Sequence, residues 1–226
     1  MTATSAEPLA FAEPEGAAAL VAFLGRLLRW EKNAAVRVRA RDGVVGVFAK
    51  PARFEVLAVR TLRLRRPVER DTTVAAGELL ERIDEEAAEA AVPAAVTGPS
   101  WAGVLPPDSG WQPFAEVPAD AARSVAVAAV GEFKERAEKL GEKAGTRQAL
   151  DALAEEIWSR PLGRTGMPLR VVHAGHALGL LRPGESVSLL RARSWLRMSS
   201  AHGSVVVRYG THEQGGSGLG LSVTPV

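Results

Sequence analysis

A strict alternation of apolar and basic side chains begins at Val36 and ends at Arg41 in this 226-residue chain. The apolar members are Val36, Val38 and Ala40, and the basic members are Arg37, Arg39 and Arg41. Successive side chains of a β-strand point to opposite faces of the sheet. The segment therefore predicts a strand with one apolar face and one arginine face. Asp42-Gly43 follows it, a pair that favours a two-residue hairpin turn.

The segment 15–91 around this hairpin predicts an α-β-β-β(-α) unit with an antiparallel sheet. A helix is predicted from Glu15 to Glu31, with an apolar stripe that covers the apolar face of the sheet. Further strands are predicted at Val44–Ala49 and Phe54–Arg65. Residues 74–91 predict a second helix with an acidic surface, which ends before Pro93.

Residues 92–119 are rich in proline and glycine and mark the best domain boundary. The segment also holds four large apolar side chains, at Trp101, Leu105, Trp111 and Phe114. Aromatic surface of this extent is unusual for a free linker. Two interpretations follow: the segment is a packed strap that ties the two halves of the chain together, or it forms a patch that binds a partner.

Residues 120–209 predict a helical unit followed by a small antiparallel sheet. The helices are expected at 120–140, in a segment capped by Thr146, and at 168–181; the strands are expected at 186–192, 195–199 and 204–209. The whole chain is thus predicted to be an α+β protein in two halves. Residues 1–14 are expected to be a frayed lead-in, and residues 210–226 a flexible Gly/Ser tail.

Three helices followed by a short sheet resemble the order of elements in a winged helix, whose last helix enters the major groove of DNA. Under that interpretation Arg170 and His173, expected on the exposed face of helix 168–181, would contact bases. The strand residues Arg191, Arg193 and Arg197 would contact phosphates. Against it, the break at 160–166 is long for a helix-turn-helix, and helix 168–181 is mostly apolar.

Charge is segregated along the chain. Residues 34–70 hold ten Lys/Arg and three Asp/Glu, residues 71–119 hold one Arg and nine Asp/Glu, and residues 161–226 hold seven Arg and two Glu. The blocks carry +7, −8 and +5, although the net charge of the chain is only +2. Self-association of the blocks or an external partner would explain this pattern.

Five arginines are predicted to share the sheet face opposite the helix: Arg37, Arg39, Arg41, Arg63 and Arg65. A face of this kind binds phosphates or an acidic surface. Three interpretations stay open. The acidic segment of the same chain or of a second copy covers the face, an external anion binds it, or the charges are simply solvated.

Several kinds of function have no support in the residues. The chain has no cysteine, which excludes disulfides and thiolate metal sites. His173 and His176 lack further ligands, so no metal or cofactor is expected, and the glycines at 216–220 lack the strand and helix that flank a phosphate loop. No nucleophile elbow, membrane span or targeting signal is recognisable. We therefore expect a cytoplasmic protein and recognise neither a catalytic site nor a small-molecule substrate.

The sequence favours a non-enzymatic protein-interaction or scaffolding module that uses the arginine face, the aromatic segment or both. Its partner would be another protein or a second copy of the chain. The alternative is a nucleic-acid-associated regulator that uses the arginine face or the winged-helix-like C-terminal half.

Overall fold

The computed structural model describes residues 7–51, 54–141 and 147–209. The helices are α1 (Glu15–Trp30), α2 (Ala76–Glu81), α3 (Ala119–Gly141), α4 (Arg147–Trp158) and α5 (Leu169–Ala177). The strands are β1 (Leu9–Ala10), β2 (Ala35–Arg41), β3 (Val44–Ala49), β4 (Leu57–Arg63), β5 (Arg70–Ala75), β6 (Ile83–Asp84), β7 (Glu89–Ala90), β8 (Gln112–Pro118), β9 (Ser186–Ala192), β10 (Trp195–Ser200) and β11 (Gly203–Arg208). The predicted mixed α+β class is confirmed.

Eight strands join in one antiparallel sheet of order β5-β2-β3-β4-β11-β10-β9-β8. The N-terminal half of the chain supplies the first four strands and the C-terminal half supplies the last four. The two halves meet at the centre, where β4 pairs with β11 through three residue pairs: Leu57–Val206, Ala58–Val205 and Val59–Ser204. The strands predicted to form a small sheet of their own, β9 to β11, are therefore part of a larger sheet, with a neighbour on each side.

The two halves repeat one order of elements. A helix precedes a three-stranded meander in each: α1 before β2-β3-β4, and α5 before β9-β10-β11. A fourth strand lies outside the first strand of each meander, β5 beside β2 and β8 beside β9. It follows the meander along the chain in the first half and precedes the helices in the second. No internal repeat is recognisable in the sequence, so the symmetry lies in the topology alone.

The helices cover one face of the sheet. Val36, Val38 and Ala40 of β2 are at most 2% exposed and belong to the main core, together with the buried stripe of α1. The predicted alternation in β2 and the predicted packing of α1 on the apolar face are therefore confirmed. The arginines of β2 alternate with these core residues and point to the opposite, open face.

A long loop crosses this open face. We call residues 96–111 the cover loop; the amide of Val96 donates to the carbonyl of Thr73 at the β5 edge, and the loop ends where β8 begins at the other edge. Its side chains Trp101, Leu105 and Trp111 pack on a second, smaller cluster of buried residues. That cluster consists of Phe48, Leu57, Val59, Trp195 and Val206.

The predicted acidic helix at 74–91 is wrong. The segment completes β5, forms the short helix α2 and then turns back as the hairpin β6–β7. Val74 is fully buried opposite Val36, and the amide of Ala76 donates to the carbonyl of Ala34, so strand pairing holds the start of the segment in β structure. Helix propensity is a weak preference that such tertiary contacts override.

Three further expectations differ from the structure. Residues 112–118, part of the expected strap, form the edge strand β8. The predicted helix 168–181 ends at Ala177, because Gly179 follows in the left-handed region at φ +68°. Residues 9–11 of the expected frayed lead-in are built into the fold: β1 pairs with β7, and Phe11, only 1% exposed, bridges to Leu64. Thr146 and the tail 210–226 lie outside the described residues.

Candidate functional site

A groove of about 660 Å³ lies between the open face of the sheet and the cover loop. We call it the arginine groove, because three guanidinium groups line it: those of Arg39, Arg41 and Arg197. Its floor is formed mainly by Gly46, Phe48, Val59, Thr61 and Val206, and cover-loop residues 106–109 form one wall. The groove therefore combines an apolar floor with basic walls.

Gly46 leaves space for the ring of Phe48 on the floor of the groove. It lies on β3 between its cross-strand neighbours Arg39 and Thr61. The ring of Phe48 lies over it, and a Cβ atom at position 46 would be 2.8 Å from Cε2 of that ring. Glycine in a strand often marks such a close approach. The aromatic ring can occupy this position only because residue 46 has no side chain.

Two of the three groove arginines already have a carboxylate of this chain. Arg39 lies 3.3 Å from Asp108 of the cover loop, and Arg41 lies 3.2 Å from Asp42 of the adjacent turn. The side chains of Arg41 and Asp42 are 64% and 83% exposed. Pairs as exposed as this contribute about 0–1 kcal/mol. An incoming carboxylate can therefore replace Asp42 as the partner of Arg41 at little cost.

Arg197 of β10 has no such carboxylate among the described residues. Its guanidinium lies 5.5 Å from the centre of the Trp111 ring, a cation–π arrangement that fixes the plane of the group. Burial lowers the pKa of Arg197 from its ordinary value, and its buried Nε atom has no hydrogen-bond partner in the described structure. A desolvated cation without a counterion is costly. Arg197 is thus the groove residue with most to gain from an anionic ligand.

Arg37 lies on the same face but is already satisfied. Its Nε and one terminal nitrogen donate to both oxygens of Asp71, at 2.7 and 2.8 Å, and its other terminal nitrogen donates to the carbonyl oxygen of Ala102. The hydrogen bond to Arg37 lowers the pKa of Asp71, and the same bond raises the pKa of Arg37. Arg37 therefore anchors the cover loop to the sheet.

The remaining two arginines of the predicted face are in different places. Arg63 is exposed on the open face, opposite Val44. Arg65 binds backbone carbonyls instead, donating to Phe11 at 2.9 Å and to Ala88 at 3.3 Å. The open face thus brings together four of the five predicted arginines. The carboxylates that pair with this face come from Asp71 of the neighbouring strand β5 and Asp108 of the cover loop, and not from the acidic segment 78–89.

The predicted DNA-contact residues do not share one surface. The expectation that Arg170 and His173 lie on an exposed helix face is wrong: Arg170 is only 9% exposed and binds Glu55 and Glu155, both at 2.7 Å. His173 is half-buried, stacked on Trp158 at 4.3 Å. Arg197 lies in the groove on the other side of the sheet. The last two candidates are exposed: Arg193 is in the β9–β10 turn, and Arg191 lies 4.9 Å from the ring of Phe114.

The aromatic side chains of segment 92–119 separate into two groups. Trp101, Leu105 and Trp111 turn inward and pack on residues from both halves of the sheet. The indole nitrogen of Trp111 also donates to the carbonyl of Pro107 at 2.9 Å, which stabilises the bend of the loop. Phe114 belongs to β8 and packs against the main core.

Neither a metal centre nor a membrane-spanning helix is found within the described residues. No group of three His, Cys, Asp or Glu side chains within residues 7–51, 54–141 and 147–209 is placed to hold a metal ion. None of the helices formed by these residues has the length and apolar character needed to cross a membrane.

The groove itself was not predicted from the sequence. Its floor joins Val59 to Val206 across the β4–β11 junction, and no local pattern indicates that these strands are neighbours. The one available signal was Gly46, a glycine inside an apolar strand, which suggests that something approaches the backbone closely.

Comparison with known proteins divides the chain in two. Residues 4–103 match the model of a domain of unknown function (DUF8010), and residues 106–212 match the model of another domain of unknown function (DUF8185). A search of curated proteins finds no match.

Proposed function

We propose that this protein is a non-enzymatic protein-interaction module whose arginine groove binds an acidic segment of a partner protein. The observation that carries the proposal is Arg197, a desolvated guanidinium without a carboxylate partner among the described residues, beside an apolar floor. A peptide segment supplies both things that such a groove lacks, a carboxylate for the cation and an apolar side chain for Phe48 and Val59.

A protein ligand suits this site better than nucleic acid. Base-stacking modules present exposed aromatic rings interleaved with basic residues, whereas Trp101 and Trp111 pack against the sheet beneath the cover loop. Arg170, the predicted base-reading residue, is held by two carboxylates. A phosphate backbone carries one charge per nucleotide and is bound by several cations along its length, whereas Arg39 and Arg41 already pair with Asp108 and Asp42. Nucleic acid therefore serves as the competing ligand in the test.

The test is a fluorescence-anisotropy titration of the full chain with a labelled short peptide that alternates glutamate and leucine. Its lysine-for-glutamate counterpart, duplex DNA and single-stranded DNA form the other arms. Arg197→Ala should weaken binding of the acidic peptide by about tenfold or more, since a hydrogen bond to a charged group contributes about 1.5–3 kcal/mol. Arg164→Ala is the matched control, because Arg164 is an exposed loop arginine that is not part of the groove.

Three outcomes contradict the proposal. In the first, the acidic peptide fails to bind at low salt. In the second, Arg164→Ala weakens binding of the acidic peptide as much as Arg197→Ala does. In the third, DNA binds more tightly than the peptide and loses affinity in Arg197→Ala, which would favour the nucleic-acid alternative. Binding of the acidic peptide but not of the basic one, lost selectively in Arg197→Ala, supports the proposal.

A further inference from the structure

The segment with the highest density of negative charge in the chain forms a short β-hairpin. We call residues 83–90 the acidic hairpin; β6 and β7 are its strands, and residues 85–88 are its turn. Glu85 and Glu86 are exposed at the tip. Neither forms an ion pair within the described part of the chain, so both carboxylates are available to a partner.

The tip of the hairpin is held in place by polar contacts. The Oδ1 atom of Asp84 accepts a hydrogen bond from the amide of Ala87 at 2.9 Å, which closes the turn. Arg65 donates to the carbonyls of Ala87 and Ala88. On the other side, β7 pairs with β1. Because the tip is already ordered, little conformational entropy would be lost when its carboxylates bind.

The acidic hairpin and the entrance of the arginine groove lie at the same end of the large sheet. Val44, at the β2–β3 turn, lines the groove and pairs with Arg63. The next amide, that of Leu64, donates to the carbonyl of Gly43 at 2.8 Å, and Arg65 then holds the hairpin tip. The basic groove and the acidic tip therefore lie at the same end of the sheet, linked by residues 63–65.

We infer that the occupant of the groove is the acidic hairpin of a second copy of this chain, in a symmetric dimer with two identical contacts. The inference rests on the proposed function of the groove. A two-fold interface brings the same patch of both copies together, so the patch must be complementary to itself. A patch with a basic groove and an acidic tip side by side meets this condition, because each tip faces the partner's groove. Glu85 and Glu86 of one copy lie against Arg197 and Arg41 of the other.

The size of the groove agrees with this occupant. A volume of about 660 Å³ is within the range of about 300–1,000 Å³ for sites that enclose a compact ligand. A tight turn with two acidic side chains is a ligand of this compact kind. Pro106 and Pro107 restrict the backbone of the wall, because a proline ring fixes φ.

The experiment is sedimentation velocity of the full chain with three charge-reversed variants. E85R/E86R reverses the tip, R197E reverses the groove, and E78R/E81R is the matched control, since it reverses two exposed acidic residues of α2 outside the hairpin. We expect a dimer for the wild type and for E78R/E81R, and a monomer for each of the other two variants alone. An equimolar mixture of E85R/E86R and R197E should dimerise again, because in the mixed pair both tips meet grooves of opposite charge.

Salt provides a second readout. The dimer should weaken between about 0.1 M salt, where the Debye length is about 10 Å, and about 1 M salt, where it is about 3 Å. If R197E fails to fold, R41E replaces it, because the Arg41 side chain is 64% exposed and lines the same groove.

Each result decides the inference. A monomeric wild type, a dimer that survives both charge reversals, or a mixture that stays monomeric overturns it. If the wild type is monomeric and the free acidic peptide still binds the groove, the dimer is wrong and the proposed function stands. If the peptide fails as well, both fail.

Discussion

At the scale of single residues, burial decides the chemistry of the ionisable groups. The sequence predicts a base-contacting role for His173, yet its ring is stacked on Trp158 and lies edge-on to Phe54 at 4.9 Å. Burial, with a smaller contribution from the charge of His176, lowers the pKa of His173 to about 4. At neutral pH this ring is an uncharged part of an aromatic cluster.

The depressed pKa of His173 makes stability depend on pH. Between about pH 6.5 and 4 the unfolded chain holds a proton on this ring that the folded chain does not, so the stability from the neutral ring is complete above about pH 6.5 and is lost as the pH falls toward 4. Wild type should lose about 2 kcal/mol more than His173→Phe between pH 7 and pH 4. Urea unfolding of both proteins at several pH values measures the difference, and two parallel pH profiles would contradict it.

At the scale of elements, the cover loop has the most unusual role. It has little regular structure beyond the short 3-10 turn at Ser100–Gly103, yet it shields an apolar cluster on the open face and forms a wall of the groove. Its anchors are the Arg37 contact with Ala102 and the inward-facing Trp101 and Trp111. The loop therefore links the stability of the open face to the shape of the binding site.

Trp111→Ala should remove one of these anchors. We expect a loss of about 2 kcal/mol in the free energy of unfolding, less than the roughly 3–5 kcal/mol for a fully buried Trp, because Trp111 is only partly buried. Val104→Ala is the control in the same loop; Val104 is 49% exposed, and the change should stay within about 0.5 kcal/mol. Chemical denaturation compares the two variants, and equal effects would show that the loop does not pack as described.

At the scale of the whole molecule, the two halves depend on the short junction between β4 and β11. The strand order is symmetric about this junction, because each half contributes the last strand of its meander. The main core is continuous across it and includes Ala58 from one half and Val205 from the other, both fully buried. We therefore expect the halves to unfold together, although they match two different domain models.

Val205→Ala tests this coupling. Loss of two buried methyl groups should cost about 2 kcal/mol. The same loss should appear in hydrogen-exchange protection of β2–β3 in the N-terminal half and of β9–β10 in the C-terminal half, because a cooperative unit shares one free energy of unfolding. Reduced protection in the C-terminal half alone, or two separate unfolding transitions, would show that the halves are independent.

The sequence predicted those elements whose signals, side-chain periodicity and turn residues, lie within the element itself. The alternation of β2, the Asp42-Gly43 turn, the stripe of α1 and the three strands near residues 186–208 are all found close to their expected positions. In each, one period of apolar side chains and one turn signal agree, so the local preference and the final packing act in the same direction.

Tertiary structure alone determined the secondary structure of residues 74–91 and the existence of the arginine groove. Helix propensity in the acidic segment is worth only fractions of a kcal/mol per residue, and the pairing of Val74 with Val36 outweighs it. The groove requires β4 beside β11 and a loop above them, contacts between residues far apart in the chain. The sequence places ten basic residues between positions 34 and 70 and Arg197 far from them. Only the fold determined that Arg37 pairs with Asp71 and that Arg197 has no carboxylate partner among the described residues.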